Sequence, residues 1–184
     1  LFIFLDQYNR EIFQNKNKNM GVIYRNYKSK KRDIELRKIA KACKESRIKL
    51  FVSNDIKLAI KFRADGLYIP SFNKTNSYCN LEKKMMLLGS AHNQKEIQKK
   101  ISQKCDAIFL SPAFHIKKKK KYLETHKFNF LANRNKINTF ALGGISLKNI
   151  NRLKLFNIDG FGAITLFKKK PAYKRPVFIK NNFF

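Results

Sequence analysis

The 184-residue chain is poor in acidic residues, in cysteine and in long apolar stretches, and each shortage argues against a class of protein. No run approaches the roughly 18–20 consecutive apolar residues that a membrane-spanning helix needs. The start, "LFIFLDQYNR", lacks the basic-then-apolar order of a signal peptide. It also lacks an initiator Met, so a residue or two is expected to be missing there. Cys43, Cys79 and Cys105 lie far apart with no C-x-x-C spacing. That argues against a disulfide frame or a zinc site and fits a reducing cytoplasm. No Ser/His/Asp, Cys/His or H-E-x-x-H arrangement stands out, and no RNA-binding motif appears.

Acid is the scarcest of the three. Lys and Arg outnumber Asp and Glu by 41 to 12, for a net charge of +29. Polyanions are the obvious partners of such a chain. The lysines are spread along its whole length, however, and Asn, Ile and Phe are abundant with them. That pattern fits a broad compositional bias better than a dedicated nucleic-acid surface.

The apolar residues fall in short, regular runs. Phe2–Leu5, Gly21–Tyr24, Lys49–Val52, Gly66–Ile69, Met86–Leu88, Ala107–Leu110, Thr139–Leu142 and Phe161–Ile164 read as buried strands. Amphipathic segments separate several of them: "DIELRKIAKACKES", "DIKLAIKFRA", "NQKEIQKKISQK" and "SLKNINRLKLF". Their apolar faces are expected from Ile34, Ile39, Ala42 and Cys43, from Ile56, Ala59 and Ile60, from Ile97 and Ile101, and from Leu147, Ile150 and Leu153. Strands alternating with helices predict parallel βα units. Eight of them predict a compact α/β fold, a closed (β/α)8 TIM barrel, with an open doubly wound sheet as runner-up. The length suits one domain over residues 1–184, with a core to about 167 and a basic tail over 168–184. The helices must be short, the first connection holds only a short one, and the tail "FKKKPAYKRPVFIKNNFF" has no helical period.

Polar and backbone-permissive residues follow the strands: "YRNYKSKKR", Asn54-Asp55, Pro70-Ser71, "GSAH", "SPAFHIKKKKK", Gly143-Gly144 and Thr165. In a barrel the carboxyl ends of the strands share one rim, where active sites sit. "ALGGIS" before "LKNINRLKLF" has the form of a phosphate grip: a glycine turn into a helix, with Ser146 as its cap. A plain strand-to-helix turn reads equally well from the pair alone. The glycine-bearing "DGFGAIT" at the eighth strand adds to the phosphate reading. Asp55 is either a cation ligand or a helix cap. Arg25 and Lys28 are a diphosphate clamp or a solvated basic loop. His92 is an acid–base group or a structural rim histidine. Lys117–Lys121 is a lid over an anionic substrate or a solvated loop.

In this order the pieces resemble the thiamine phosphate synthase family, with its thiazole tautomerase-like relatives. The carriers are "FVSNDIKLAIKFRADGLYIP", "GSAHNQKEI", "CDAIFLSPAF", "TFALGGISLKNINRL" and "IDGFGAITLF". The resemblance runs from about Gly21 to Phe167 and looks like a divergent branch. It implies an enzyme that joins a pyrimidine methyl diphosphate to a thiazole phosphate. Diphosphate leaves first, and the thiazole nitrogen then attacks the carbocation. Carried over by position, Arg25 and Asn54 hold the diphosphate and Asp55 binds Mg²⁺. Ser90 lies near the diphosphate or pyrimidine, and Lys119 matches the loop lysine. Gly143 or Gly144, with Ile164 and Thr165, takes the thiazole phosphate. The family's Gln-x-Arg-x-Lys becomes Ile23, Arg25 and Tyr27, with Lys28 one place late. The second metal-binding Asp falls near Asn73, and the Thr-x-Thr is lost among Ile116, Lys117 and Lys118. The tautomerase histidine falls near Ser111, which disfavours that activity.

Three readings follow. The enzyme leads, with phosphorylated heterocycles as substrates, Mg²⁺ as cofactor, a cytoplasmic location, no membrane partner and a homo-oligomer left open. A non-catalytic binder of thiazole or thiamine phosphates comes next. A basic nucleic-acid-binding protein rests on charge alone.

Overall fold

The computed structural model describes residues 1–14, 19–78, 85–116, 122–164 and 166. Its strands are β1 (Phe2–Leu5), β2 (Gly21–Tyr24), β3 (Lys49–Ser53), β4 (Gly66–Ile69), β5 (Met86–Ala91), β6 (Ala107–Leu110), β7 (Asn138–Leu142) and β8 (Gly160–Ala163). All pair in parallel and in chain order, and β1 also pairs with β8, closing an eight-stranded barrel. The helices are α1 (Arg10–Phe13), α2 (Arg32–Ser46), α3 (Ile56–Lys61), α4 (Gln94–Ser102) and α5 (Thr125–Arg134). A 3-10 segment, Ile150–Leu155, precedes β8. The (β/α)8 expectation holds, and the helices are short as the chain length requires.

Alternation along each strand sorts the core into two. Phe2, Phe4, Ile23, Phe51, Tyr68, Leu88, Phe109, Phe140 and Leu142 fill the barrel interior. Ile3, Leu5, Val22, Val52, Leu67 and Ile108 point outward to the helices. The interior rings meet edge to face, with centroids 5.1 Å apart for Phe2–Phe109, 5.0 Å for Phe2–Phe140 and 5.3 Å for Phe4–Phe109. Each such pair adds about 0.5–1.5 kcal/mol to the burial itself. Glycines make the room: a Cβ would sit 2.5 Å from the Phe51 ring at Gly66 and 2.8 Å from the Phe4 ring at Gly162.

Aspartates stitch the amino ends together. The N–H of Asp65 donates to Leu50 O at 2.9 Å and its carboxylate accepts from Leu50 N at 2.8 Å. Asp106 does the same with Leu87 at 2.8 and 2.7 Å, and Asp159 with Thr139 at 2.9 and 2.8 Å. The residue just before β4, β6 and β8 thus fixes the register of the preceding strand.

Four details differ from the sequence reading. Helix α5, which follows the lysine run in sequence, was not foreseen; it buries Phe128, Leu131 and Ala132. Strand β5 extends to Ala91, so Gly89 and Ser90 lie in the strand and not after it. Ser146 does not cap a helix through its hydroxyl: its carbonyl accepts from Asn149 N at 3.1 Å and Ile150 N at 2.9 Å, and Asn149 Oδ1 accepts from Ser146 N at 2.8 Å. Of the expected helix faces, Ile39, Ala42, Cys43, Ala59, Ile97, Ile150 and Leu153 are buried, but Ile34, Ile60, Ile101 and Leu147 are exposed, and Leu36 packs where Ile34 was expected.

Candidate active site

The interior alternation runs to the strand ends and past them. Phe4 leads to Asp6, Ile23 to Arg25, Phe51 to Ser53, Leu88 to Ser90 and Phe109 to Ser111. The contacts agree. The Arg25 guanidinium lies over the Phe4 ring at 5.7 Å and reaches Asp6 Oδ1 at 3.5 Å. The Tyr27 hydroxyl is 2.7 Å from Ser53 Oγ. Buried Ser90 hydrogen-bonds Tyr68, whose hydroxyl burial keeps well above the ordinary tyrosine range. A floor of Phe4, Tyr68 and Leu142 is therefore ringed by cationic and hydroxyl groups.

Asn54 turns the chain off β3 in the left-handed region, φ 56°, a conformation asparagine tolerates. The turn sets Asp55 at the start of α3, where its Oδ1 accepts from Leu58 N at 3.0 Å. Its Oδ2 takes Arg32 Nη1 at 3.0 Å, and Arg32 Nη2 donates to Ser53 O at 2.8 Å. Asn73 donates its amide to Asn54 Oδ1 at 2.5 Å and accepts Thr75 N at 2.9 Å. Asp55 thus serves as a cap, one of its two sequence readings, and also as an ion-pair partner. Arg32, read before only as part of a basic loop, was missed.

Across the rim, Gly143 and Gly144 have φ of 90° and 72°. A Cβ on Gly144 would lie 2.5 Å from Phe114 O and 2.7 Å from His115 O. The connection after β6 packs on this turn: Ala113 N donates to Leu142 O at 2.9 Å and Phe114 N to Gly143 O at 3.1 Å. Glycine is required here by backbone packing, whatever the turn binds. Ile164 packs on the interior cluster beside it.

His92 joins two loops. Its Nδ1 sits 2.7 Å from Ser111 O and 3.0 Å from Ser111 Oγ, and its Nε2 lies 3.4 Å from Ser71 Oγ. Its backbone is held by Glu96, which accepts His92 N at 2.9 Å. A histidine therefore stands against Ser111 after all, supplied by β5 and not by β6. Lys28 is exposed on the loop after β2. Lys119, Thr165 and Cys79 lie outside the described residues.

So Arg25, Asn54, Asp55, Ser90, Gly143, Gly144 and Ile164 do gather at the carboxyl end of one barrel. Two surface cavities, about 820 and 770 Å³, open instead on the starts of strands, beside Thr139 and Asp159 and beside Leu50 and Asp65. That end of a barrel serves stability rather than chemistry.

Mg²⁺ asks for near-octahedral oxygen ligands and is usually held by one or two carboxylates. Among the described residues no cluster of three or more His, Cys, Asp or Glu side chains exists. The Asp55 carboxylate is committed to a helix N–H and a guanidinium, and Asn73 turns its donor inward. This donor set does not fit a resident Mg²⁺. Among the described residues no helix is long and apolar enough to cross a membrane.

Comparison with known proteins bears on the whole rim. A thiamine-phosphate synthase of Prochlorococcus marinus subsp. pastoris is 29% identical over 153 residues, 77% of this chain and 42% of that protein. The chain thus spans under half of that relative's length. A thiamine-phosphate synthase of Thermoplasma acidophilum is 24% identical over 164 residues, 80% of this chain and 72% of that protein. The solved thiamine phosphate pyrophosphorylase from Pyrococcus furiosus superposes with a TM-score of 0.71 at 14% identity, over 89% of this chain and 84% of that one. The thiamine monophosphate synthase family model matches residues 10–167, and the chain belongs to that family.

Proposed function

We propose that the protein forms thiamine phosphate, coupling a hydroxymethylpyrimidine diphosphate to a thiazole phosphate with release of diphosphate. The observation that carries this is the family match over residues 10–167, the span that supplies every candidate binding residue of the rim. In the reaction a C–O bond breaks and its electron pair leaves with the diphosphate. The thiazole nitrogen then supplies the pair for the new C–N bond. The demand on the protein is for charge stabilisation at the departing group and for alignment of two rings.

Arg25 meets the first demand, because its guanidinium is planar, permanently charged and able to bind two oxygens at once. Among the described residues its ion pair is with Asp6, a long one at 3.5 Å that an arriving phosphate can outcompete. Asn54 and Lys28 join it from the turns after β3 and β2, and Ser90 hydrogen-bonds Tyr68 of the aromatic floor on which a pyrimidine would lie. The second phosphate takes the Gly143–Gly144 turn, with Ile164 against the thiazole. Lys119 and Thr165 would complete the two grips. Cys43 and Cys105, both buried and in no disulfide among the described residues, suit the reducing cytoplasm. Neither membrane nor nucleic acid enters this reading, and a homo-oligomer is compatible with it.

One observation favours a second reading. Asp55 and Asn73 are tied into internal contacts where the resemblance calls for metal ligands. A member that binds thiazole phosphate without turnover has that character. The purified protein should be given both substrates and followed for thiamine phosphate and diphosphate. Equal amounts of the two support the enzyme. Saturable thiazole phosphate binding with no product supports the binder, and salt-sensitive duplex binding indifferent to thiazole phosphate supports neither.

A further inference from the structure

We infer that the Arg32 guanidinium takes the place of a divalent cation at Asp55, so that the rim grips diphosphate without a metal ion. The inference rests on the diphosphate reading of this rim and departs from the metal that the resemblance implies.

The argument is one of geometry and charge. Arg32 opens α2 and reaches across to the end of β3, where Nη1 meets Asp55 Oδ2 at 3.0 Å and Nη2 meets Ser53 O at 2.8 Å. The Tyr24 ring lies against the guanidinium, 5.6 Å from Cζ to centroid, and fixes its plane. The pair is mostly enclosed, with side-chain exposures of 17% for Arg32 and 28% for Asp55. At that enclosure solvent screens it less than a surface pair. A metal ion drawn to Asp55 would face a positive charge 3.0 Å from the oxygen it needs. It would also have to replace the Ser53 contact that the same guanidinium makes.

The second expected ligand points the same way. Asn73 offers its Nδ2, a donor, toward Asn54, and its oxygen is taken by Thr75 N. An amide held in this way turns an N–H and not an oxygen toward Asn54. Arg32 Nε and the Tyr24 hydroxyl are buried side by side, with no other polar partner among the described residues. A buried pair of this kind accepts a small polar occupant such as water or an anion oxygen. With Arg25 after β2, the rim holds two guanidinium groups near the expected diphosphate, where a carboxylate pair would hold one divalent ion.

Inorganic pyrophosphate and Mn²⁺ test this with the intact protein. Calorimetry should give the parent the same pyrophosphate affinity, within about twofold, in EDTA and in Mg²⁺. Electron paramagnetic resonance should find no Mn²⁺ bound to the parent alone. Arg32→Gln should lose about tenfold in pyrophosphate affinity in EDTA and gain Mn²⁺ binding through the released Asp55. Arg32→Lys should recover part of the affinity, and Asp55→Asn, which keeps the helix-capping oxygen, should leave pyrophosphate bound. Mn²⁺ uptake by the parent that Asp55→Asn removes would overturn the inference, as would pyrophosphate binding that EDTA abolishes. Absence of thiamine phosphate from a parent that binds pyrophosphate in EDTA counts against the transferase and for Arg32. Turnover that strictly requires Mg²⁺ does the reverse.

Discussion

The ammonium of Lys100, fully buried, lies 2.9 Å from the carbonyl oxygen of Asn73. It also donates to Pro70 O at 2.8 Å and to Gln103 Oε1 at 2.8 Å. Gln103 in turn donates to Asn73 O at 3.2 Å and to Thr75 O at 2.6 Å. Helix α4 thereby holds the connection after β4, and with it the position of Asn73 over Asn54. Lys100→Met would leave Gln103 Oε1 without its donor and Pro70 O and Asn73 O with one donor each, a loss of about 1–3 kcal/mol, read as a lower urea midpoint.

The same lysine gives a pH test. Burial pushes its pKa down to about 8 from 10.5. Below the lowered value both folded and unfolded chains carry the proton, and the folded chain bears the full cost of a buried charge. Between about 8 and 10.5 the unfolded chain holds more protons, so this residue's contribution to stability rises with pH. The stability difference between parent and Lys100→Met should therefore widen in the parent's favour across that window. A flat difference would mean that the surrounding oxygens compensate burial in full.

Asp106→Ala should cost about 1–3 kcal/mol, because Leu87 N loses a charged acceptor at 2.7 Å. Asp106→Asn keeps an oxygen in place and should recover part of that. Equal urea midpoints for parent and Asp106→Ala would show that the backbone bond from Asp106 N to Leu87 O fixes the register alone.

These contacts mark what a sequence does and does not display. The strands were legible because a barrel strand is buried on both faces and reads as an unbroken apolar run. Arg25 and Asp55 were legible because a rim residue needs only strand order to be placed. Helix α5 was not, although Phe128, Leu131 and Ala132 stand at helical spacing, because the adjoining lysine run looked like solvent-facing loop. The aspartates of "ADGLYI", "CDAIFL" and "IDGFGA" repeat in plain view, but their partners Leu50, Leu87 and Thr139 lie at the start of another strand. Lys100 was not singled out, because the carbonyls that hold it, Pro70 O and Asn73 O, lie about a strand away in sequence. Arg32 hid in a chain with 41 basic residues, where charge alone singles out none.

Gly144→Ala should lower stability as well as phosphate binding. The new Cβ meets Phe114 O at 2.5 Å and must adopt a φ of 72°. The strain alone is worth about 1–3 kcal/mol. Gly143→Ala, whose Cβ would sit 3.1 Å from Pro112, should be milder on steric grounds. A parent-like melting temperature for Gly144→Ala would mean that the connection after β6 yields easily.

Arg25 offers the cleanest test of the diphosphate end, because its loss should be felt in binding and hardly in folding. Its side chain is 29% exposed, and its partner Asp6 stands 3.5 Å away with 40% exposure. Such an exposed, long ion pair contributes about 0–1 kcal/mol to stability. A pyrophosphate oxygen brings greater charge and better fork geometry to the same guanidinium. Arg25→Ala should therefore weaken pyrophosphate binding about tenfold or more while the urea midpoint stays near the parent's. Arg25→Lys should restore the charge without the fork and fall between the two. Calorimetry on the three proteins decides it. Equal affinities would remove Arg25 from the grip and leave the charge of the rim to Arg32. A large loss of stability with no loss of affinity would make Arg25 a strut over the Phe4 ring.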